Sequence, residues 1–273
     1  MAASLVCIFV FGLNLGIDFT GGSILELEYQ GLRPSPEEVQ KVLSEVGPVS
    51  VQTSGENGLI IRMKDISEPT HQEILRRLKQ GYEAEERRFE SIGPVIGQEL
   101  KDKTKVLIAA ALISIVLYIA LAFRRVRRPI ASWHYGLVSL IVLFHDLLVP
   151  VGVFSVLGNW YGIQVSIPVV AGLLTVLGYS INDTVVVLDR IRENLLRRTG
   201  VTFEETVNQG LNQTLVRCVN TSLTTLLVLL AIYFFGGATL KYFALVLIIG
   251  VIAGTYSSLF LSPPLLTMFS KNA

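Results

Sequence analysis

Two carboxylates and one guanidinium lie inside otherwise apolar runs of this sequence: Asp146, Asp183 and Arg217. A charged side chain in hydrocarbon is expensive, about 3 kcal/mol at a helix centre on insertion scales, so such residues face a protein interior and mark a functional site. Asp183 lies in Gly178-Tyr-Ser-Ile-Asn-Asp-Thr-Val185, with Tyr179, Ser180, Asn182 and Thr184 as polar company. A carboxylate in that setting can gain and lose a proton during transport; the alternative is a structural carboxylate satisfied by a neighbouring helix. Thr214, Arg217, Cys218, Thr221, Thr224 and Thr225 recur at three- and four-residue spacing and line one helix face, which needs a partner. Arg217 is then either a counter-ion whose pairing with Asp183 depends on the proton, or an arginine snorkelling to the inner headgroups. His145 stands beside Asp146, and because histidine titrates near neutral pH the two make either a second proton site or a polar pair that packs helices. Gly250 and Gly254 form a G-x-x-x-G suited to close helix packing. Cys7 and Cys218 match no metal or redox spacing, so no metal or cofactor is expected.

The elements that must position these residues follow from composition. The chain is 51% hydrophobic and 16% charged, with a mean hydropathy of +0.55, against about 25% charged in ordinary soluble domains. Residues 18 to 105 hold 28 of the Asp, Glu, Lys and Arg side chains and residues 106 to 273 hold 17, so the second stretch is membrane-like. A net charge of +1 gives no electrostatic case for nucleic acid. Apolar runs at 105–123, 131–157, 167–188, 212–235 and 243–262, together with Met1 to Leu13, predict six spans. The first run is shorter than the roughly 20 residues a span needs, and lacks a basic segment or cleavage site; it reads as the end of a spanning helix whose beginning is trimmed or short. The run 131–157 reads as one tilted helix followed by a loop marked by Gly158, Asn159 and Gly162. Asp183 falls sixteen residues into its helix, about 24 Å from the outer end and in the inner third of a bilayer.

Orientation comes from Lys and Arg in short loops. The loop 124–130 carries four arginines, and 189–211 carries Arg190, Arg192, Arg197 and Arg198. The opposite loops, 158–166 and 236–242, carry only Lys241. Both termini are therefore expected in the cytoplasm and residues 18–104 outside. This gives a first span over 1–17, an extracytoplasmic domain over 18–104 and a five-helix membrane domain over 105–273.

The polar domain reads as α+β. Ile24 to Gln30 alternates as a half-buried strand. Ser35, Pro36 and Glu38 form a capping box for a helix with Val39, Val42, Leu43 and Val46 inward and Gly47 at its end. Val49 to Thr53 and Leu59 to Met63 read as a hairpin across Ser54 to Gly58. A helix over Glu68 to Gln80, with Ile74, Leu75 and Leu78 inward, and a strand over Ala84 to Ile92 complete a βαββαβ order, the ferredoxin-like split unit.

Several segments together resemble one family. Leu15-Gly-Ile-Asp-Phe-Thr-Gly-Gly22, Gly93-Pro-Val-Ile-Gly-Gln-Glu-Leu100, His145-Asp146, Tyr179 to Asn194 and Asn212-Gln-Thr-Leu-Val-Arg217 are similar to the SecF family, and the resemblance covers nearly the whole chain. It implies a six-span membrane subunit with an architecture related to the resistance, nodulation and division exporters. Its implied partners are SecD, the SecYEG channel, the translocating unfolded preprotein and the lipid bilayer of the bacterial cytoplasmic (inner) membrane. The implied work is to use the proton gradient to help pull secreted chains across after the SecA motor has pushed them, with no enzymatic step and no cofactor beyond the coupling ion. The resemblance also implies that Asp183 and Arg217 conduct protons with Thr221 beside them, and that Gly16, Asp18, Gly21 and Gly22 are the family motif. Na⁺ is an alternative ion, since a carboxylate with hydroxyl and amide neighbours serves either. Family members usually carry a longer first span with basic residues before it, whereas this sequence opens at Met1-Ala-Ala-Ser4.

In the mechanism this predicts, charged Asp183 and Arg217 hold adjacent spans together, and protonation weakens the pair and lets the helices rearrange. Three other readings compete. A small exporter would need a large apolar pocket in the 18–104 region. An intramembrane aspartyl protease would pair Asp146 with Asp183, but Asp183 follows Ser-Ile-Asn in place of Gly-x-Gly. A scaffold would leave Asp183 dispensable.

Overall fold

The structure, a computed structural model, describes residues 1–80, 82–122, 132–197 and 200–271. The arginine cluster at 124–128 and Arg198 lie outside the described residues. Contacts divide the chain into a unit of Leu15–Lys105 and a helical unit made of Met1–Asn14 with Val106–Ala273.

The first unit opens with one turn of helix, α2 (Ile17–Thr20), after α1 (Ala2–Phe11) of the helical unit. Strand β1 (Gly22–Tyr29) follows, with Leu25, Leu27 and Tyr29 buried and Glu26 and Glu28 between them. Helix α3 (Pro36–Val42) carries the expected capping box: the Ser35 backbone N–H donates to Glu38 Oε2 at 2.8 Å and the Glu38 N–H to Ser35 Oγ at 3.3 Å. Val39 and Leu43 enter the core, but Val42 is exposed, because the chain leaves the α-helix there for a tighter turn over Ser44–Val46. Strands β2 (Ser50–Ser54) and β3 (Gly58–Met63), helix α4 (Glu68–Leu78) and strand β4 (Ala84–Ile92) complete the βαββαβ order. The sheet runs β2-β3-β1-β4 with every neighbouring pair antiparallel. Its core is built from Leu25, Leu27, Leu59, Ile61, Val39, Leu43, Ile74 and Leu78. His71, unforeseen from the sequence, is buried on α4, stacked on Phe89 at 3.7 Å with Glu68 and Glu86 each 3.2 Å from a ring nitrogen.

The helical unit contains Asp146, Asp183 and Arg217. Among the described residues four helices are long and apolar enough to cross a membrane: Trp133–Tyr161, Ile167–Arg197, Phe203–Phe235 and Leu240–Phe269. They correspond to α6 (Ser132–Tyr161), α7 (Ile167–Arg197), α8 (Phe203–Phe235) and the run α9 (Ala238–Tyr256), a π-helical turn (Ser257–Leu261) and α10 (Ser262–Lys271). Helix α1 is apolar but only 10 residues long, and α5 (Pro94–Ala122) has 29 residues.

Helix α6 does not end before Gly158 as expected; it continues to Tyr161 and stops at Gly162, whose φ is +65°. Gly158 is there for close approach, since a Cβ on it would lie 3.0 Å from the Asn14 Cβ. Likewise the arginine-rich stretch after 188 is mostly helix, and a second capping box on Thr202 and Glu205 starts α8. The π turn has a covalent cause. Pro263 and Pro264 have no N–H for the carbonyls four residues earlier, and the Ser262 N–H bonds to Ser257, five residues back.

Candidate functional site

Packing of α9 on α7 sets the site. Gly172, Val176 and Ser180 of α7 meet Val246, Gly250 and Gly254 of α9 in order, so the two helices run in the same direction. A Cβ on Gly250 would collide with Val176, and one on Gly254 would lie 3.2 Å from the Ser180 Cβ and 3.6 Å from Asp146 Oδ2. The G-x-x-x-G thus brings the α9 backbone onto α7. The next turns of both helices carry polar groups inward.

Asp183 is 3% exposed. The Ser222 hydroxyl of α8 donates to its Oδ2 at 3.4 Å. Thr255 of α9 donates to Ser222 Oγ at 2.6 Å and also lies 2.8 Å from the carbonyl of Val251. One hydroxyl chain therefore links α7, α8 and α9. Cys218, one turn from Ser222, is buried beside it.

Asp146 on α6 is fully buried. Its Oδ1 is 2.8 Å from His145 Nδ1, and its Oδ2 accepts from the Ser257 hydroxyl at 2.7 Å and from the Ser180 hydroxyl. The carboxylate ties α6 to α7 and to the π turn. Asp146 and Asp183 thus grip the same two elements, since Ser180 and Asp183 are three apart on α7, and Thr255 and Ser257 are two apart across the end of α9.

The polar stripe expected on α8 divides into two faces. Thr214, Cys218 and Ser222, spaced by four, are buried, and Thr225 accepts from the Tyr179 hydroxyl at 3.3 Å. Arg217 and Thr224 are exposed, and Thr221 is half-exposed with its hydroxyl on the Arg217 carbonyl at 2.8 Å. Among the described residues no ion pair within 4.0 Å joins Arg217 to Asp183. Asp183 takes its direct hydrogen bond from Ser222, a residue the sequence reading passed over although its four-residue spacing from Cys218 and Thr214 marks it.

The glycine-rich segment lies in the sheet unit. Gly16 precedes α2, and Asp18 sits in its first turn. Gly21 has φ +73°, and a Cβ there would fall 2.7 Å from the Pro94 Cα; Gly22 has φ +131°, with the Met63 carbonyl oxygen 2.8 Å from such a Cβ. Both positions combine a left-handed backbone with close neighbours, which only glycine tolerates.

Residues 70–272 match the family described as protein export membrane protein SecD/SecF, C-terminal, and residues 8–31 match the SecD/SecF GG motif. The chain is 43% identical over 271 residues to the protein translocase subunit SecF of Thermobaculum terrenum, which covers 93% of this chain and 84% of that protein. It is 37% identical over 273 residues to the SecF subunit of Anaerolinea thermophila, covering 98% of this chain and 88% of that one. Protein translocase subunit SecDF of Thermus thermophilus is 36% identical over 262 residues, 93% of this chain and 34% of the longer protein. The crystal structure of the Thermus SecDF superposes with a TM-score of 0.87 at 35% identity, covering 100% of this chain and 36% of that one. A super-membrane-facing form of SecDF gives 0.68 at 34% identity.

Proposed function

The chain belongs to the SecD/SecF protein export membrane protein family, with a role in protein translocation, and from that premise we propose that it is a SecF subunit in which Asp183 couples proton movement to preprotein transport. The observation that carries this reading is a buried carboxylate hydrogen-bonded to Ser222 of α8, whose hydroxyl accepts in turn from Thr255 of α9. Such a residue is costly inside a membrane protein unless function requires it.

In the proposed cycle a proton reaches Asp183 from outside, and its release to the cytoplasm resets the site. A proton shifts a conformational equilibrium only by binding the two states with different affinity, so the surroundings of Asp183 must differ between them. Arg217 is the proposed second residue of the proton path, and Thr221 lies one turn from it on α8. The proton is the proposed coupling ion, and no cofactor or enzymatic step enters the cycle.

SecD is the proposed partner, and the Thermus relative that joins both names in one chain supports it. A second support is α8 itself, where Arg217, Thr221 and Thr224 lie toward the surface beside exposed Leu223, Leu227 and Val228. Polar groups facing lipid are unfavourable, and a second membrane subunit would cover them. The further proposed partners are the SecYEG channel and the translocating preprotein; the Thermus structure is described as translocon-associated.

We also propose six spans, with α1 and α5 as the first two, both termini in the cytoplasm of a bacterial inner membrane, and residues 18–104 outside. Those residues would form a ferredoxin-like domain, which the β2-β3-β1-β4 order supports. The test uses cells depleted of their own SecF and supplied with this chain and SecD. Processing of a secretory precursor should be restored by the native chain and slowed by Asp183→Asn at equal membrane level. Equal processing by both would sink the proposal.

A further inference from the structure

The two buried aspartates have different kinds of partner. Asp146 accepts from the Ser180 hydroxyl and from the Ser257 hydroxyl at 2.7 Å, and its Oδ1 lies 2.8 Å from the His145 ring nitrogen. Both hydroxyls donate to the same oxygen, Oδ2, and hold it between α7 and the π turn.

Around Asp183 the arrangement can run either way. With the carboxylate charged, Thr255 donates to Ser222 at 2.6 Å and Ser222 donates to Asp183 at 3.4 Å. With Asp183 protonated, its O–H can donate to Ser222, the Ser222 hydroxyl can turn and donate to Thr255, and Thr255 can donate to the Val251 carbonyl, 2.8 Å away. Each hydroxyl carries one proton and accepts through its lone pairs, so the Ser222 and Thr255 hydroxyls each have an acceptor for their proton in both states. Asp183 gains one proton, and the two hydroxyl O–H bonds of Ser222 and Thr255 rotate in response without giving theirs up. The Val251 carbonyl, at the α9 end, is the acceptor that makes the reversal possible.

We infer that Ser222 and Thr255 are positioning residues that form a reversible hydroxyl relay, reporting the protonation state of Asp183 to α9, while Asp146 anchors the other side of the same turn through Ser257. This deepens the proposed function and rests on Asp183 being the coupling carboxylate. The π turn directly after Tyr256 suits the role, because π segments are local departures from α-helical register that recur at functional sites. The charged and titratable groups around Asp183 are Cys218 and the more exposed Arg217 from α8, with the His145–Asp146 pair of α6 bonded to Ser180 one turn away on α7, while α9 contributes the Thr255 hydroxyl through Ser222.

The test compares native chain, Thr255→Val, Thr255→Ser and Asp183→Asn in membranes with SecD. Two quantities are read: gradient-stimulated export, and the pH profile of Asp183 modification by dicyclohexylcarbodiimide, followed by mass spectrometry of the Asp183 peptide. The relay predicts that Thr255→Val shifts the pH profile and lowers stimulated export by about three- to tenfold, the size expected of one buried hydrogen bond. Thr255→Ser should restore both, because it keeps the hydroxyl. A native pH profile and native export in Thr255→Val would overturn the relay, as would a Thr255→Ser as defective as Thr255→Val. If Asp183→Asn retains stimulated export, the coupling assignment itself fails; if it abolishes export while Thr255→Val is native, only the relay fails.

Discussion

Gly250 of α9 rests directly on Val176 of α7, with no room between them for even a methyl group. One turn on, Gly254 lies against Ser180, so the same seam that brings the backbones together delivers Thr255 and Ser257 to the buried aspartates. Packing and chemistry share one helix pair. Gly250→Leu should therefore do more than loosen the seam. Overpacking a tight interior typically costs about 1–3 kcal/mol, and a lower unfolding midpoint in detergent should accompany loss of activity. An unchanged midpoint would show that the seam yields to bulk.

The GG motif makes a backbone prediction. At Gly21 a side chain meets both a left-handed φ of +73° and the Pro94 backbone. Gly21→Ala should destabilise the sheet unit by about 1–3 kcal/mol, the usual penalty for strained backbone. Hydrogen exchange in β1 and at the start of α5 of the intact chain checks it. Protection equal to native would contradict the geometry.

Acid should act on the sheet unit through Glu73. Hydrogen bonds from Arg76 and Arg77 hold its carboxyl down to about 2 from an ordinary 4.5. Because the folded value is the lower one, the stabilisation is fully present above the unfolded value and is lost as pH falls through 4.5 toward 2. Glu73 is half-exposed, so the effect is modest and screened by salt. The difference in α4 hydrogen-exchange protection between native chain and Glu73→Gln should shrink as pH drops across that window. A constant difference would remove Glu73 from the account.

Much of this architecture was legible in the residues. Strand β4 has the expected bounds because its turn signals are unambiguous, and the Ser35 box gave the start of α3. Val42 defeated the pattern, since helical periodicity cannot foresee where a helix tightens into a narrower turn. Gly158 misled for a related reason: glycine marks either a turn or a close approach, and here it was the second. Asp146 and Asp183 stood out because charge in an apolar run demands a reason. Arg217 drew equal notice, yet the direct partner of Asp183 is Ser222. A serine on a threonine-rich helix carries no distinctive signal until the neighbouring helices fix which face is inside.

The central claim is that Asp183 couples a proton gradient to export. It is tested most directly in vesicles carrying this chain with SecD, under an imposed proton gradient, by comparing precursor export for the native chain and Asp183→Asn at equal assembly. The account predicts that the gradient-dependent part of export disappears in the variant while the gradient-independent part remains. Unchanged export with unchanged gradient dependence would contradict it, and would leave Asp183 as a structural carboxylate in a translocase subunit that scaffolds its partners.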